Sequence, residues 1–261
     1  MQLGKDISAV ITGGASGLGA ATARALAAKG VKVGLLDLNE ALGAKLAGEI
    51  GGAYAKGDVT DEASVAAALA SLRGVNGQER ILVNCAGIAI AKRTVRRVRE
   101  TGEVEPHDIA SFRRVIEINL IGTFIMMTSC AAGMMQLEPL APDGERGVIV
   151  STASVAAEDG QIGQVAYAAS KGGVASMTLP VARDLSKDGI RVVSILPGLF
   201  LTPMFDTLPE DARKSLAAAV PFPPRLGEPA EYAALALHIC ENVMLNGGTI
   251  RLDGAVRLAP R

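Results

Sequence analysis

Thr12-Gly13-Gly14-Ala15-Ser16-Gly17-Leu18-Gly19 is the stretch on which the reading of the whole chain turns. It follows directly on an apolar, β-branched run at 7–12 (ISAVIT) and opens a helix-forming stretch from about 17. A strand, a glycine-rich turn and a helix in that order put backbone N–H groups and a helix N-terminus where a phosphate can sit. Gly13, Gly17 and Gly19 then supply the tight turn, the close backbone approach to a pyrophosphate and the packing of helix on strand. Asp37 stands at the end of the next apolar run, 31–36 (VKVGLL). From there a carboxylate can accept hydrogen bonds from an adenosine ribose 2′-hydroxyl. Leu38 follows it and 12–19 holds no lysine or arginine, so a 2′-phosphate would meet a carboxylate with no counter-charge. The sequence therefore predicts NAD rather than NADP.

Outward from this unit the pattern repeats. Strand-like runs fall at 7–12, 31–36, 53–57, 81–84, 148–152, 191–196 and 249–252. Between them, 17–30, 40–49, 61–73, 109–137, 161–187, 210–219 and 229–243 carry helical periodicity and composition. Strand alternating with helix implies an α/β fold, a doubly wound parallel sheet of about seven strands with helices on both faces. No Ser/Gly/Pro-rich linker divides residues 1–261, so one domain is expected. A charged insertion at 92–108 and a Pro-rich excursion at 197–229, a candidate substrate lid, must emerge at the carboxyl ends of strands, where such sheets bind ligands.

Charge and composition exclude several classes. Lysine plus arginine, 26, against aspartate plus glutamate, 27, leaves no overall field for nucleic acid or an anionic membrane. The uncharged stretch 118–137 is long enough to span a bilayer, but Asn119, Thr123, Thr128, Ser129 and Gln136 interrupt it and no basic cluster follows. A helix buried between protein layers is expected there. Cys85, Cys130 and Cys240 fit neither a disulfide framework nor a zinc site, and residues 1–6 lack the pattern of a signal or transit peptide; a reducing, cytoplasmic setting follows as an expectation. His107 and His238 lie in no metal-ligand spacing, and no P-loop or nucleophile-elbow motif occurs, so no catalytic metal is expected.

Tyr167 and Lys171, four apart in a helical pattern, share one face. A cationic neighbour favours a phenolate, which is how a tyrosine becomes a general base. Ser154, in STASVA at the end of the fifth strand, brings a hydroxyl to the same edge.

With these residues in place, the chain resembles the short-chain dehydrogenase/reductase family over essentially its whole length. The positions that carry the likeness are TGGASGLG, Asp37, Asp58-Val59, Asn84-Cys85-Ala86-Gly87, Asn119, Ser154, Tyr167, Lys171, and Pro197-Gly198 with Thr202. The resemblance implies a Rossmann-type fold and a hydride transfer in which Tyr167 is general base or acid. Ser154 would hold the substrate oxygen. Lys171 would lower the Tyr167 pKa and bind the nicotinamide ribose, and Asn119 would anchor a proton relay. The cofactor contacts it implies are Gly13, Ser16, Gly17, Leu18 and Gly19 at the pyrophosphate; Asp37, Asp58 and Val59 at the adenosine; Asn84, Cys85, Ala86 and Gly87 along the fourth strand's exit; and Pro197, Phe200 and Thr202, with Tyr167 and Lys171, at the nicotinamide. Gln161 is expected to line the acyl pocket beside Ser154 and Tyr167, with a surface loop amide as the alternative.

Within the family, CAGIA, STASVAAEDGQIGQVAYAASKGG, PGLFLTPM and VPFPPRLGEPAEYA resemble dehydrogenases of 3-hydroxyacyl thioesters of coenzyme A. The expected substrates are short or branched acyl-CoA thioesters, with steroid-like alcohols as a secondary activity, and the expected assembly is a homotetramer. The basic run Lys92, Arg93, Arg96, Arg97 and Arg99 either meets coenzyme A phosphates or is a solvated loop balanced by Glu100, Glu103 and Glu105. Rival readings are a 3-oxoacyl reductase, which the family usually runs on NADP, and a non-catalytic NAD-binding interaction protein.

Overall fold

In the computed structural model, which describes residues 1–203 and 216–260, seven strands form one parallel sheet. They are β1 (Ser8–Thr12), β2 (Lys32–Asp37), β3 (Ala53–Lys56), β4 (Ile81–Asn84), β7 (Gly147–Thr152), β8 (Ile190–Pro197) and β9 (Thr249–Leu252). Their order, β3-β2-β1-β4-β7-β8-β9, is that of a doubly wound sheet, and every pairing within it is parallel. Each expected strand is present to within a residue or so. β1, β4 and β7 are buried almost throughout, as strands covered on both faces must be.

The helices are α1 (Gly17–Ala28), α2 (Glu40–Ile50), α3 (Glu62–Asn76), α4 (Ile109–Met134), α5 (Val165–Asp184) and α6 (Pro229–Glu241). α6 opens with Pro229 just inside its start, and Glu228 and Glu231 form a reciprocal capping box. α1 and α6 pack together on one face of the sheet, where Ile11, Leu26, Leu35, Tyr232 and Ile239 are core. α3, α4 and α5 cover the other, burying Val65, Leu69, Met126, Met127, Cys130 and Met134. The apolar stretch of α4 thus faces the sheet. By length and hydropathy α4 is the one helix among the described residues that is long enough to cross a bilayer.

Three expectations change in detail. The helix expected from 161 begins at Val165, because residues 161–164 form a turn. The insertion at 92–108 is a small antiparallel hairpin, β5 (Val95–Arg97) with β6 (Val104–Pro106), standing off the main sheet. Of the helix expected at 210–219, and of the lid reading of 197–229, residues 204–215 lie outside those described.

The chain order reverses between β1 and β4, so the loops that leave them diverge and open a crevice at the carboxyl edge. Gly13 turns there with φ +61°, and a Cβ on it would lie 2.8 Å from the Ala86 backbone nitrogen. Gly13→Ala therefore combines left-handed strain with a backbone collision. We expect it to cost about 1–3 kcal/mol, which for a chain of this size lowers Tm by about 2–4 °C per kcal/mol, read by thermal unfolding.

Candidate active site

The crevice is a cleft of about 470 Å³. The glycine loop forms its floor at one end. Ser16 caps α1 from an extended conformation, and a Cβ on Gly19 would collide with the Gly13 carbonyl, so only glycine lets the helix start so close to the strand. Gly17, at φ +51°, lies under Thr202 and Pro203, which begin the excursion after β8. The Asp37 carboxylate accepts from the loop nitrogen of Ala15 at 3.0 Å and from Asn39 N at 2.9 Å. The loop thus orients the carboxylate it precedes in sequence.

Further along, Asp58 Oδ1 accepts from Thr60 N at 2.9 Å and Thr60 Oγ1 at 2.7 Å, and these bonds hold its carboxyl below the usual range. Thr12 Oγ1 accepts from both Cys85 N and Ala86 N at 3.2 Å and so ties the exits of β1 and β4 together.

At the other end stand Ser154, Tyr167 and Lys171, all on the cleft wall. β7 delivers Ser154, which accepts from Ala156 N at 3.1 Å as a short helical turn begins. α5 delivers Tyr167 and Lys171 one turn apart. Lys171 is buried, its Nζ donating to the Thr152 carbonyl at 2.7 Å, and burial brings it down to about 8. The Tyr167 phenol is raised by its own burial, with the Ser154 hydroxyl pulling the other way. Lys171 is not among the influences that set this phenol. Its ammonium lies 5.9 Å from the centre of the Tyr167 ring and is turned to Thr152, and desolvation outweighs attraction at that range.

Asn119 sits in a π-helical turn of α4, Glu117–Ile121, fully buried. Its Oδ1 accepts from Ile88 N at 2.8 Å, and its Nδ2 donates to Ile88 O at 2.9 Å and to Ser170 Oγ at 3.0 Å. Asn119 thus stands behind the cleft wall rather than on it; a Cβ on Gly87 would lie 3.1 Å from Asn119 Oδ1 and 3.5 Å from Lys171 Nζ.

Of the residues expected from sequence, Gly13, Ser16, Gly17, Leu18, Gly19, Asp37, Asp58, Val59, Cys85, Ala86, Gly87, Ser154, Tyr167, Lys171, Pro197, Phe200 and Thr202 line this one cleft. Asn84, Asn119 and Gln161 do not. The Asn84 side chain turns into the sheet layer and donates to Ser151 Oγ at 3.3 Å. Gln161 instead donates to the Ala259 carbonyl at 2.9 Å, because the C-terminal segment lies across its loop. Thr152, Arg114 and Ile118 line the cleft without having been anticipated. The last two are four apart on α4, and that spacing was the available signal. In the 92–108 insertion, Lys92 pairs with Asp108 at 3.1 Å and Arg96 with Glu105 at 2.5 Å.

A cradle in which Gly13 and Gly19 leave no room for a Cβ, a preset carboxylate and a half-buried tyrosine beside a buried lysine at the switch point of a doubly wound sheet define a dinucleotide-dependent oxidoreductase. The chain belongs to the short chain dehydrogenase family, whose model matches residues 8–213. It is 52% identical to 3-hydroxyacyl-CoA dehydrogenase type-2 of Bos taurus, over 98% of this chain and 97% of that protein. The crystal structure of 3-hydroxyacyl-CoA dehydrogenase type-2 from Mycobacterium avium superposes with a TM-score of 0.91 at 41% identity, over 98% of both chains. That of 3-ketoacyl-(acyl-carrier-protein) reductase from Brucella melitensis complexed with NADH does so at 0.82 and 28% identity, over 97% of this chain and 98% of that one.

Asn119→Leu would leave the Ile88 N–H and C=O without their shared partner. A buried unpaired group costs about 1–3 kcal/mol, so this variant should unfold at lower denaturant and exchange the Ile88 amide faster than the wild type.

Proposed function

We propose that this oxidoreductase is an NAD-dependent dehydrogenase of 3-hydroxyacyl-CoA thioesters, short and branched chains included, with steroid-like alcohols as a secondary activity. The observation that carries the chemistry is the convergence of Ser154, Tyr167 and Lys171 on the wall of the cleft whose other end holds the glycine loop and Asp37. The names of the relatives carry the substrate class.

The residues fit a nicotinamide dinucleotide. The loop of Gly13, Ser16, Gly17, Leu18 and Gly19 would hold its pyrophosphate, Asp37 its adenosine ribose, Asp58 and Val59 its adenine, and Pro197, Phe200 and Thr202 its nicotinamide end. When bound, that group supplies the hydride acceptor for oxidation or the donor for reduction. Tyr167 takes the proton of the substrate hydroxyl in oxidation and returns it in reduction. The Ser154 hydroxyl donates to the same substrate oxygen, and Lys171 keeps a positive charge beside the phenolate as it forms. Asp37 favours NAD because its carboxylate is already fixed by Ala15 N and Asn39 N, leaving it no way to turn from a 2′-phosphate. We further propose a homotetramer, supported by the exposed apolar residues Ile121 and Phe124 on α4 and Val165 and Leu179 on α5, and a cytoplasmic location, supported by three unpaired cysteines.

The reading is tested with 3-hydroxyacyl-CoA, 3-hydroxyacyl carrier-protein and steroid alcohols, each offered with NAD and NADP. CoA thioesters with NAD should give the highest kcat/KM; NADP-linked turnover of carrier-protein substrates would instead favour the 3-oxoacyl reductase. Tyr167→Phe should lower kcat by about a thousandfold, within the span of general acid–base catalysis, while the Kd for NADH stays within about twofold. The raised phenol sets the sign of the pH dependence. Oxidation needs the deprotonated tyrosine and should rise with pH on the alkaline side of neutrality; reduction needs it protonated and should fall there. Parallel profiles in the two directions would exclude Tyr167 as the shared proton donor and acceptor.

A further inference from the structure

Behind the cleft wall runs a row of hydroxyl groups that the glycine loop and the reacting trio leave unexplained. Tyr232, on α6, is fully buried, and its hydroxyl stands 2.7 Å from Thr152 Oγ1. Thr152 Oγ1 in turn lies 2.6 Å from the Asn84 carbonyl. A carbonyl only accepts, so the single Thr152 proton goes to Asn84, and Tyr232 must be the donor to Thr152. The Cys85 thiol, 3.7 Å from the Tyr232 oxygen, completes the order by donating to it. Cys85 Sγ, 3.5 Å from Thr152 Oγ1, is a weaker second acceptor; the row ends on the Asn84 carbonyl and passes through Thr152, whose main-chain carbonyl holds Lys171 Nζ at 2.7 Å.

We propose that Tyr232 and Thr152 are positioning residues for Lys171: their hydroxyl chain fixes the Thr152 carbonyl as the acceptor that keeps the lysine charged and aimed at the cleft. This rests on the reading of Tyr167 and Lys171 as the proton-handling pair. A buried ammonium is stable only while it has acceptors. The groups that face this one are Tyr167 from its own helix, Cys85 from β4, Asn119 across Gly87 and Thr152 from β7; no carboxylate among the described residues compensates its burial. The carbonyl is therefore the main local support of the charge; its peptide is held on one side by Ala153 N donating to Ile195 O at 2.8 Å, and the Thr152 side chain is held on the other by Asn84 and Tyr232. Tyr232 reaches the Thr152 hydroxyl from α6, a helix otherwise packed on α1, so the cleft's chemistry is tied to the layer on the far face of the sheet.

The test compares Tyr232→Phe, Thr152→Val and Thr152→Ser with the wild type. The Lys171 titration is followed by NMR of isotope-labelled lysine, and the pH profile of kcat is measured with 3-hydroxybutyryl-CoA and NAD. The Phe and Val variants should move the Lys171 midpoint, and the pH profile of kcat with it, down by about half a unit or more. They should also lose about fivefold in kcat, the equivalent of one net hydrogen bond. Thr152→Ser keeps the hydroxyl and should keep the wild-type titration. If Phe and Val variants melt earlier but titrate like the wild type, or if the serine variant shifts as far as the valine one, the positioning role is overturned. Tyr167→Phe, run alongside, separates the two layers: turnover there would overturn the base and this proposal with it. An unchanged Tyr232→Phe beside an inactive Tyr167→Phe overturns the positioning role alone.

Discussion

Everything at the cleft depends on how little room is left where β1 and β4 end. The two strands are hydrogen-bonded neighbours, yet their connections leave toward opposite faces, so the backbone after β1 must turn against the backbone after β4. Gly13 against Ala86 is that contact, and Thr12 Oγ1, accepting from both Cys85 N and Ala86 N, fixes its geometry. The absence of side chains there also lets a ligand approach the backbone and the N-terminus of α1 closely. The fold constraint and the anion site are one arrangement, because the packing that forbids a Cβ is what leaves that approach open.

The reacting end obeys a different constraint. Burial opposes charge on both members of the Tyr–Lys pair, raising the phenol and lowering the lysine to about 8. Removing the phenol proton beside the lysine ammonium creates a charge pair inside a low-dielectric wall, where attraction is stronger than in water. Sequence spacing suggested a phenol already acidified by its neighbour. The structure puts the lysine's polar contact on the Thr152 carbonyl and makes desolvation the larger influence on both groups.

The sequence carried the sheet well because two-face burial leaves an unmistakable trace: short, largely apolar runs at 7–12, 81–84 and 191–196 between helical patterns. It also carried the residues whose type is dictated by contact, namely Gly13, Gly19, Asp37 and Tyr167. Where the outcome depends on side-chain direction, it did not. Asn84 lies in a site-like stretch but points into the sheet, and Gln161 sits close before Tyr167 in sequence yet bonds to a segment almost a hundred residues further on. The hairpin at 92–108 was invisible for a related reason. Its strands are only three residues long and exposed on both faces, so they impose no apolar alternation.

The two edges of the sheet divide the labour. At the amino edge, arginines close off the strand starts: Arg80 donates to Arg146 O and Glu138 O, Arg146 to Leu137 O and Asp188 O, and Arg191 to three carbonyls and to Glu145. Arg73 and the buried Glu79 add a bidentate pair. Breaking such a pair would strand a buried charge at a cost of about 3–5 kcal/mol, so this edge holds its geometry firmly. At the carboxyl edge the polar groups are instead carboxylates, hydroxyls and amides that face a cleft, with an ammonium lowered by burial. Groups left short of partners are stable there only because the opposite edge and the two apolar layers over-determine the sheet that carries them.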